Sequence, residues 1–150
     1  MYDFLLFTHS WLRWIILILA IVTVVMGLSG MSGKKFGKAQ NALSGAFIGT
    51  MHLQLLLGLI LYFFLSPVGL DAFSSGANVM KEAALRYWAV EHMSIMIIAV
   101  VVAQIGRIRI KKSVTDKGKY KAMLIFNLIA LILMLSRIPW DQTARLFRGL

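Results

Sequence analysis

Ile15–Leu28 reads IILILAIVTVVMGL, and no residue from Trp14 to Gly33 carries a formal charge. A helix needs about 20 residues to cross about 30 Å of hydrocarbon, and it satisfies its own backbone polar groups on the way. The run therefore reads as a membrane span. Working outward from it, the pattern recurs. Ala39–Leu70 is again free of formal charge, around LQLLLGLILYFFL at Leu53–Leu65. A third run, SIMIIAVVVAQIG at Ser94–Gly106, follows Glu91, and a fourth, MLIFNLIALILML at Met123–Leu135, follows Lys121. The chain is thus predicted to be all-α, a single transmembrane domain over residues 1–150 built as a four-helix up-and-down bundle. The expected spans lie near residues 8–28, 43–65, 86–107 and 119–138. Ser66-Pro67 should stop the second and Ile138-Pro139 the fourth, because proline lacks the amide that a continuing helix requires.

Composition agrees. The chain is 59% hydrophobic, above the roughly 45–50% of soluble domains. Its mean hydropathy is +0.79. The net charge of +10 would raise nucleic-acid binding in a soluble protein. Here the charges sit between apolar spans, where loop Lys and Arg set orientation, so no nucleic-acid partner is expected. The partner is the lipid bilayer. Cysteine is absent, which excludes a disulfide framework, a thiolate metal site and a cysteine nucleophile. The segment ahead of the first run, MYDFLLFTHS, has Asp3 and no Lys or Arg, the wrong charge for a signal peptide.

Orientation follows from the loops. Ten basic residues (Lys34, Lys35, Lys38, Arg107, Arg109, Lys111, Lys112, Lys117, Lys119 and Lys121) face only Asp116 at the end holding the 1–2 and 3–4 loops. The other end has six basic residues against five acids. The positive-inside rule makes the first end cytoplasmic and puts both termini outside, in the periplasm for the inner membrane of a bacterium. Trp11, Trp14, Trp88 and Trp140 all fall near the outer boundary, as an interfacial belt requires.

Function in such a chain is sought among ionisable groups at membrane depth, each costly there without a partner. The candidates are His9, Arg13, His52, Glu91, His92 and Arg137, with Gln54, Gln104 and Asn127 as neutral company. At ~1.5 Å rise per residue, His9 and His92 both come out about 10 Å outward of the midplane, while His52 misses the depth of His92 by roughly 12 Å. Helices 1 and 3 of an up-and-down bundle are diagonal neighbours. Two histidines at one depth on diagonal helices can clamp a flat cofactor, the arrangement that bis-imidazole ligation of haem b demands. Arg13, Arg86 and Arg137 would then neutralise the propionates. The expected metal ligands are His92 first, paired with His9 or, if the spans shift, with His52.

Plainer readings attach to the same residues. Membrane histidines often only hydrogen-bond between helices, and His52 has a partner at its own depth in Asn127. Glu91 should pair with Arg13 or Arg137. Gly45 and Gly49 offer a small-xxx-small face for helix packing, and Met93 and Met96 read as packing residues. The motifs HExxH, GxxxxGK[ST], GxSxG and GxGxxG are all absent.

HSWLRW at His9–Trp14, HLQLLLGL at His52–Leu59 and RYWAVEH at Arg86–His92, with IGR at Ile105–Arg107 and IPW at Ile138–Trp140, occur together. In these segments the chain resembles small four-helix bacterial membrane proteins loosely named cytochrome b-like. The resemblance spans nearly the whole length, and its segments contain all three histidines. It implies a b-type haem held by membrane histidines. The expected function is electron transfer near the outer face, with quinone or a larger redox complex as partner. The competing expectation is a cofactor-free structural subunit of a larger assembly, and a weaker third is a small transporter or proton relay using Glu91 and His92. The enzyme class stays open.

Overall fold

The computed structural model describes residues 1–149, and every regular element among them is helical. Four helices are long and apolar enough to cross a membrane. The first, α1, runs Tyr2–Gly30. The second, α2, runs Lys38–Ile60 and continues as a π-helical turn, Leu61–Leu65. The third, α3, spans Ala83–Lys112 and contains a π-helical turn at Tyr87–His92. The fourth, α4, runs Asp116–Ser136, and a single turn, α5, follows at Thr143–Leu146.

All four helices start before the predicted spans, and α1 and α3 also end after them, because membrane thickness, not the hydrogen-bond ladder, set the predicted ends. By contrast α4 stops at Ser136, short of the predicted 138. At ~1.5 Å per residue α1 is about 43 Å long, enough to carry both ends into the headgroup layers. The proline stops operate as expected. Ser66 is extended (φ −96°, ψ 124°) ahead of Pro67, the conformation that the proline ring imposes on its predecessor. The fourth helix ends at Ser136, with Arg137 as its cap. At the other end the Thr115 side chain caps α4 by accepting from the Gly118 amide at 3.1 Å.

Packing is cyclic: α1 lies against α2 and α4, and α3 against α2 and α4, so α1 and α3 are diagonal. Small residues let the backbones approach. Ala20, Ala99 and Ala130 are fully buried. A Cβ on Gly27 would sit 2.7 Å from the Leu124 backbone nitrogen, and one on Gly106 would sit 2.4 Å from Phe126 Cβ. The Gly45/Gly49 packing face is corrected by the structure. Nothing lies within 4 Å of a Cβ on Gly49, and only the Arg107 guanidinium is near one on Gly45. The close contacts belong to α1 and α3 against α4, where Leu124 and Phe126 fill the space beside the glycines.

The chain after Pro139 folds back over the end of the bundle that holds the N terminus. Trp11 and Trp14 indole N–H groups donate to the carbonyls of Arg148 (2.9 Å) and Leu146 (3.0 Å). Trp14 stacks on Phe147 with ring centroids 5.4 Å apart and meets Trp140 edge-on at 6.3 Å. The aromatic residues read as an interfacial belt thus also fasten the C-terminal segment.

Candidate functional site

A cavity of about 160 Å³ opens inside this terminal end of the bundle. Walls come from all four long helices and from the folded-back segment. Helix periodicity decides who faces it. On α2, Met51, Gln54, Leu55 and Gly58 fall at i, i+3, i+4 and i+7, one stripe, and all four line the cavity. His52 is one step round the helix from that stripe and is exposed on the outer surface of the bundle. On α1 the same spacing brings His9, Arg13 and Ile16 to the cavity, and on α3 it brings His92, Met96 and Ala99.

His9 and His92 therefore line one cavity from diagonal helices, as their common depth predicts. His92 is held by a specific contact. Pro139 ends the fourth helix, which leaves the Arg137 carbonyl free of an intrahelical partner. The His92 Nδ1 lies 2.9 Å from that carbonyl, and the Tyr87 hydroxyl donates to the same oxygen at 2.9 Å. A carbonyl only accepts, so Nδ1 carries the proton and the neutral ring keeps its lone pair on Nε2. The π-helical turn Tyr87–His92 delivers both donors. A π turn holds one more residue than an α turn and so rotates its side chains relative to the rest of the helix. The Tyr62 hydroxyl braces it by donating to the Ala89 carbonyl at 3.0 Å. His9 is packed edge-on to α2, where a Cβ on Gly58 would lie 3.2 Å from His9 Cε1. Gln54 donates to the His9 backbone carbonyl at 2.9 Å.

Arginines line the cavity. Arg13 donates through Nη2 to the carbonyls of Leu146 (2.9 Å) and Arg145 (3.3 Å). Arg145 and Arg148 of the folded-back segment also line the cavity, and Arg145 lies over the Trp88 ring at 4.4 Å. No Asp or Glu is among the described residues that line it. Four lining residues have a buried polar atom without a hydrogen-bond partner among the described residues: His9 Nδ1, Arg13 Nε, Gln54 Oε1 and Arg148 Nε. An unmade bond of this kind costs about 1–3 kcal/mol. Concentrated around one cavity, they are unmet groups of both kinds, since an arginine Nε only donates and an amide Oε1 only accepts.

The other predicted residues form a neighbouring cluster instead. Glu91 pairs with Arg86 (3.0 Å) and with Arg137 (3.7 Å), so the carboxylate finds the Arg137 partner predicted for it. Neither Arg86 nor Arg137 lines the cavity. Arg145 and Arg148 supply positive charge there in their place. Sequence reading counted these two only as outer-end charges, because nothing local to the sequence says that the chain turns back after Pro139. Met93 and Met96, read as packing residues, are both in the cavity wall. Asn127 is buried in the core and makes no bond to His52 among the described residues. Its Nδ2 is without a partner.

Among the described residues no group of three or more His, Asp or Glu could hold a bare metal ion. Axial ligation of a haem asks for two imidazoles only. No protein-family model, curated protein or solved structure matches this chain.

Proposed function

We propose that this chain is a membrane b-type haem protein that transfers electrons near the outer face, and that His9 and His92 would hold the haem iron. The observation that carries the reading is the pair of imidazoles on diagonal helices, facing one cavity whose charged lining, among the described residues, is arginine without Asp or Glu. The His92 half of the donor set fits the group, whereas His9 Nδ1 has no hydrogen-bond acceptor among the described residues. Metal-ligating histidines characteristically donate their other ring N–H to a carbonyl or carboxylate, which fixes the tautomer and raises ligand basicity. The His92 contact with the Arg137 carbonyl has this form. When bound, haem b supplies a one-electron ferric/ferrous couple.

The residues of the chain do the rest. Arg13, Arg145 and Arg148 would offer positive charge to the propionates of a bound haem. Leu17, Leu55, Met96 and Val100 keep water from the buried face, so that ligand and surroundings, rather than solvent, govern the redox potential. Glu91, clamped by Arg86 and Arg137, holds the π turn that carries His92. The positive-inside rule puts the basic loops in the cytoplasm and the cavity toward the outer leaflet, within reach of a membrane quinone or of a larger redox complex.

Optical spectra of the purified protein test the proposal. Wild type should show a Soret band that sharpens and shifts on dithionite reduction. His92→Leu and His9→Leu should each abolish or grossly alter it, whereas His52→Leu and Asn127→Ala should leave it nearly intact. A colourless wild-type protein from haem-replete cells would favour the structural subunit. An unchanged spectrum in folded His92→Leu would end the ligand assignment.

A further inference from the structure

The opposite end of the bundle carries a second concavity, between the last turns of α3 and the first turns of α4. Arg109 and Lys112 stand three residues apart on α3, so they share a face, and Lys121 meets them from α4. Below Lys121, in the direction of the bilayer, the groove is lined by Ala122, Ile125 and Phe126. It is cationic at the rim and apolar along its length. Asp116, the one acid of this loop region, is not in the lining. Nor does Arg109, Lys112 or Lys121 have an ion-pair partner among the described residues.

A soluble anion would use the rim and waste the apolar wall, and a neutral lipid would use the wall and leave the cations unmet. We infer that this groove binds one anionic phospholipid, its phosphate between Arg109, Lys112 and Lys121 and an acyl chain along Ile125 and Phe126. The position suits such an occupant. The groove sits where the apolar part of α4 meets its basic first turns, which is the level of the phosphate layer on the side that carries the basic loops. Basic pockets between transmembrane helices on that side recognise anionic headgroups, and each Lys or Arg near the surface contributes about 1 kcal/mol, on the order of fivefold in affinity. Nothing in this inference depends on a haem, which would occupy the other end of the bundle.

Native mass spectrometry of the detergent-solubilised full chain, titrated with phosphatidylglycerol or phosphatidylcholine, tests it. Wild type should bind one phosphatidylglycerol at least tenfold more tightly than phosphatidylcholine, and millimolar inorganic phosphate should not displace it. Lys121→Gln should weaken phosphatidylglycerol on the order of fivefold, and the triple variant Arg109→Gln/Lys112→Gln/Lys121→Gln should remove the preference. A control in the other basic loop, Lys34→Gln/Lys35→Gln/Lys38→Gln, should keep it. Equal binding of the two lipids by wild type, displacement by phosphate, or a loss in the control as large as in the groove variants would each overturn the assignment. Circular dichroism of every variant checks that the helices are intact.

Discussion

The Arg137 carbonyl is a shared acceptor for Tyr87 and His92, and it is free because the helix stops before Pro139. Tyr87→Phe removes one donor and leaves the other. The expected cost is about 0.5–1.5 kcal/mol of stability, the worth of one intramolecular hydrogen bond, with His92 still able to ligate. Gly58 is the more telling position. A Cβ there would lie 3.2 Å from the His9 ring, tighter than ordinary contact, so Gly58→Ala forces a few tenths of an ångström on His9 and Gly58→Ile displaces it. Haem content should fall slightly in the first variant and severely in the second, while circular dichroism stays helical. Full haem content in Gly58→Ile would show that His9 is not a ligand. That His9 and His92 meet at one end of the bundle from diagonal helices was legible in the sequence because rise per residue and bundle connectivity are fixed quantities. The face of His52 was not. An apolar helix is hydrophobic all round, so hydrophobicity cannot tell the stripe Met51, Gln54, Leu55, Gly58 from the lipid-facing one beside it.

Between elements, close packing is concentrated on α4, where Gly27 and Gly106 admit Leu124 and Phe126. Gly106→Val should cost about 1–3 kcal/mol or more through overpacking, read as a lower midpoint of thermal unfolding in detergent. Gly49→Val, with open space around it, should lie within about 0.5 kcal/mol of wild type. The reverse order would contradict the packing described here. All these glycines sit in similar apolar surroundings in the sequence, and the GxxxG spacing pointed to Gly45 and Gly49. Spacing alone does not say which helix face meets a neighbour. The four spans and both proline stops were legible for the opposite reason, since each rests on local chemistry that tertiary contacts do not override. The return of the C-terminal segment was not legible. It is held by Trp11, Arg13 and Trp14 donating to main-chain carbonyls, contacts that are independent of the partner's side-chain identity.

At the scale of the whole molecule, the bundle is polarised: ten basic residues lie at the loop end and a histidine–arginine cavity at the terminal end. The chain has no cysteine, so single cysteines report topology without background. Ser75→Cys in the 2–3 loop should react with a membrane-impermeant maleimide in intact cells, and Ser32→Cys in the 1–2 loop only after lysis. The opposite pattern would place the cavity on the cytoplasmic side. Neither result touches the central claim, that His9 and His92 bind one haem between them. The most direct measurement of that claim is low-temperature electron paramagnetic resonance of the oxidised, purified protein. Wild type and His52→Leu should give a low-spin ferric signal, the mark of two strong axial imidazoles, and His9→Ala and His92→Ala should convert it to high spin or lose it. A high-spin wild type, or a low-spin signal that survives in either His9→Ala or His92→Ala, would contradict the account.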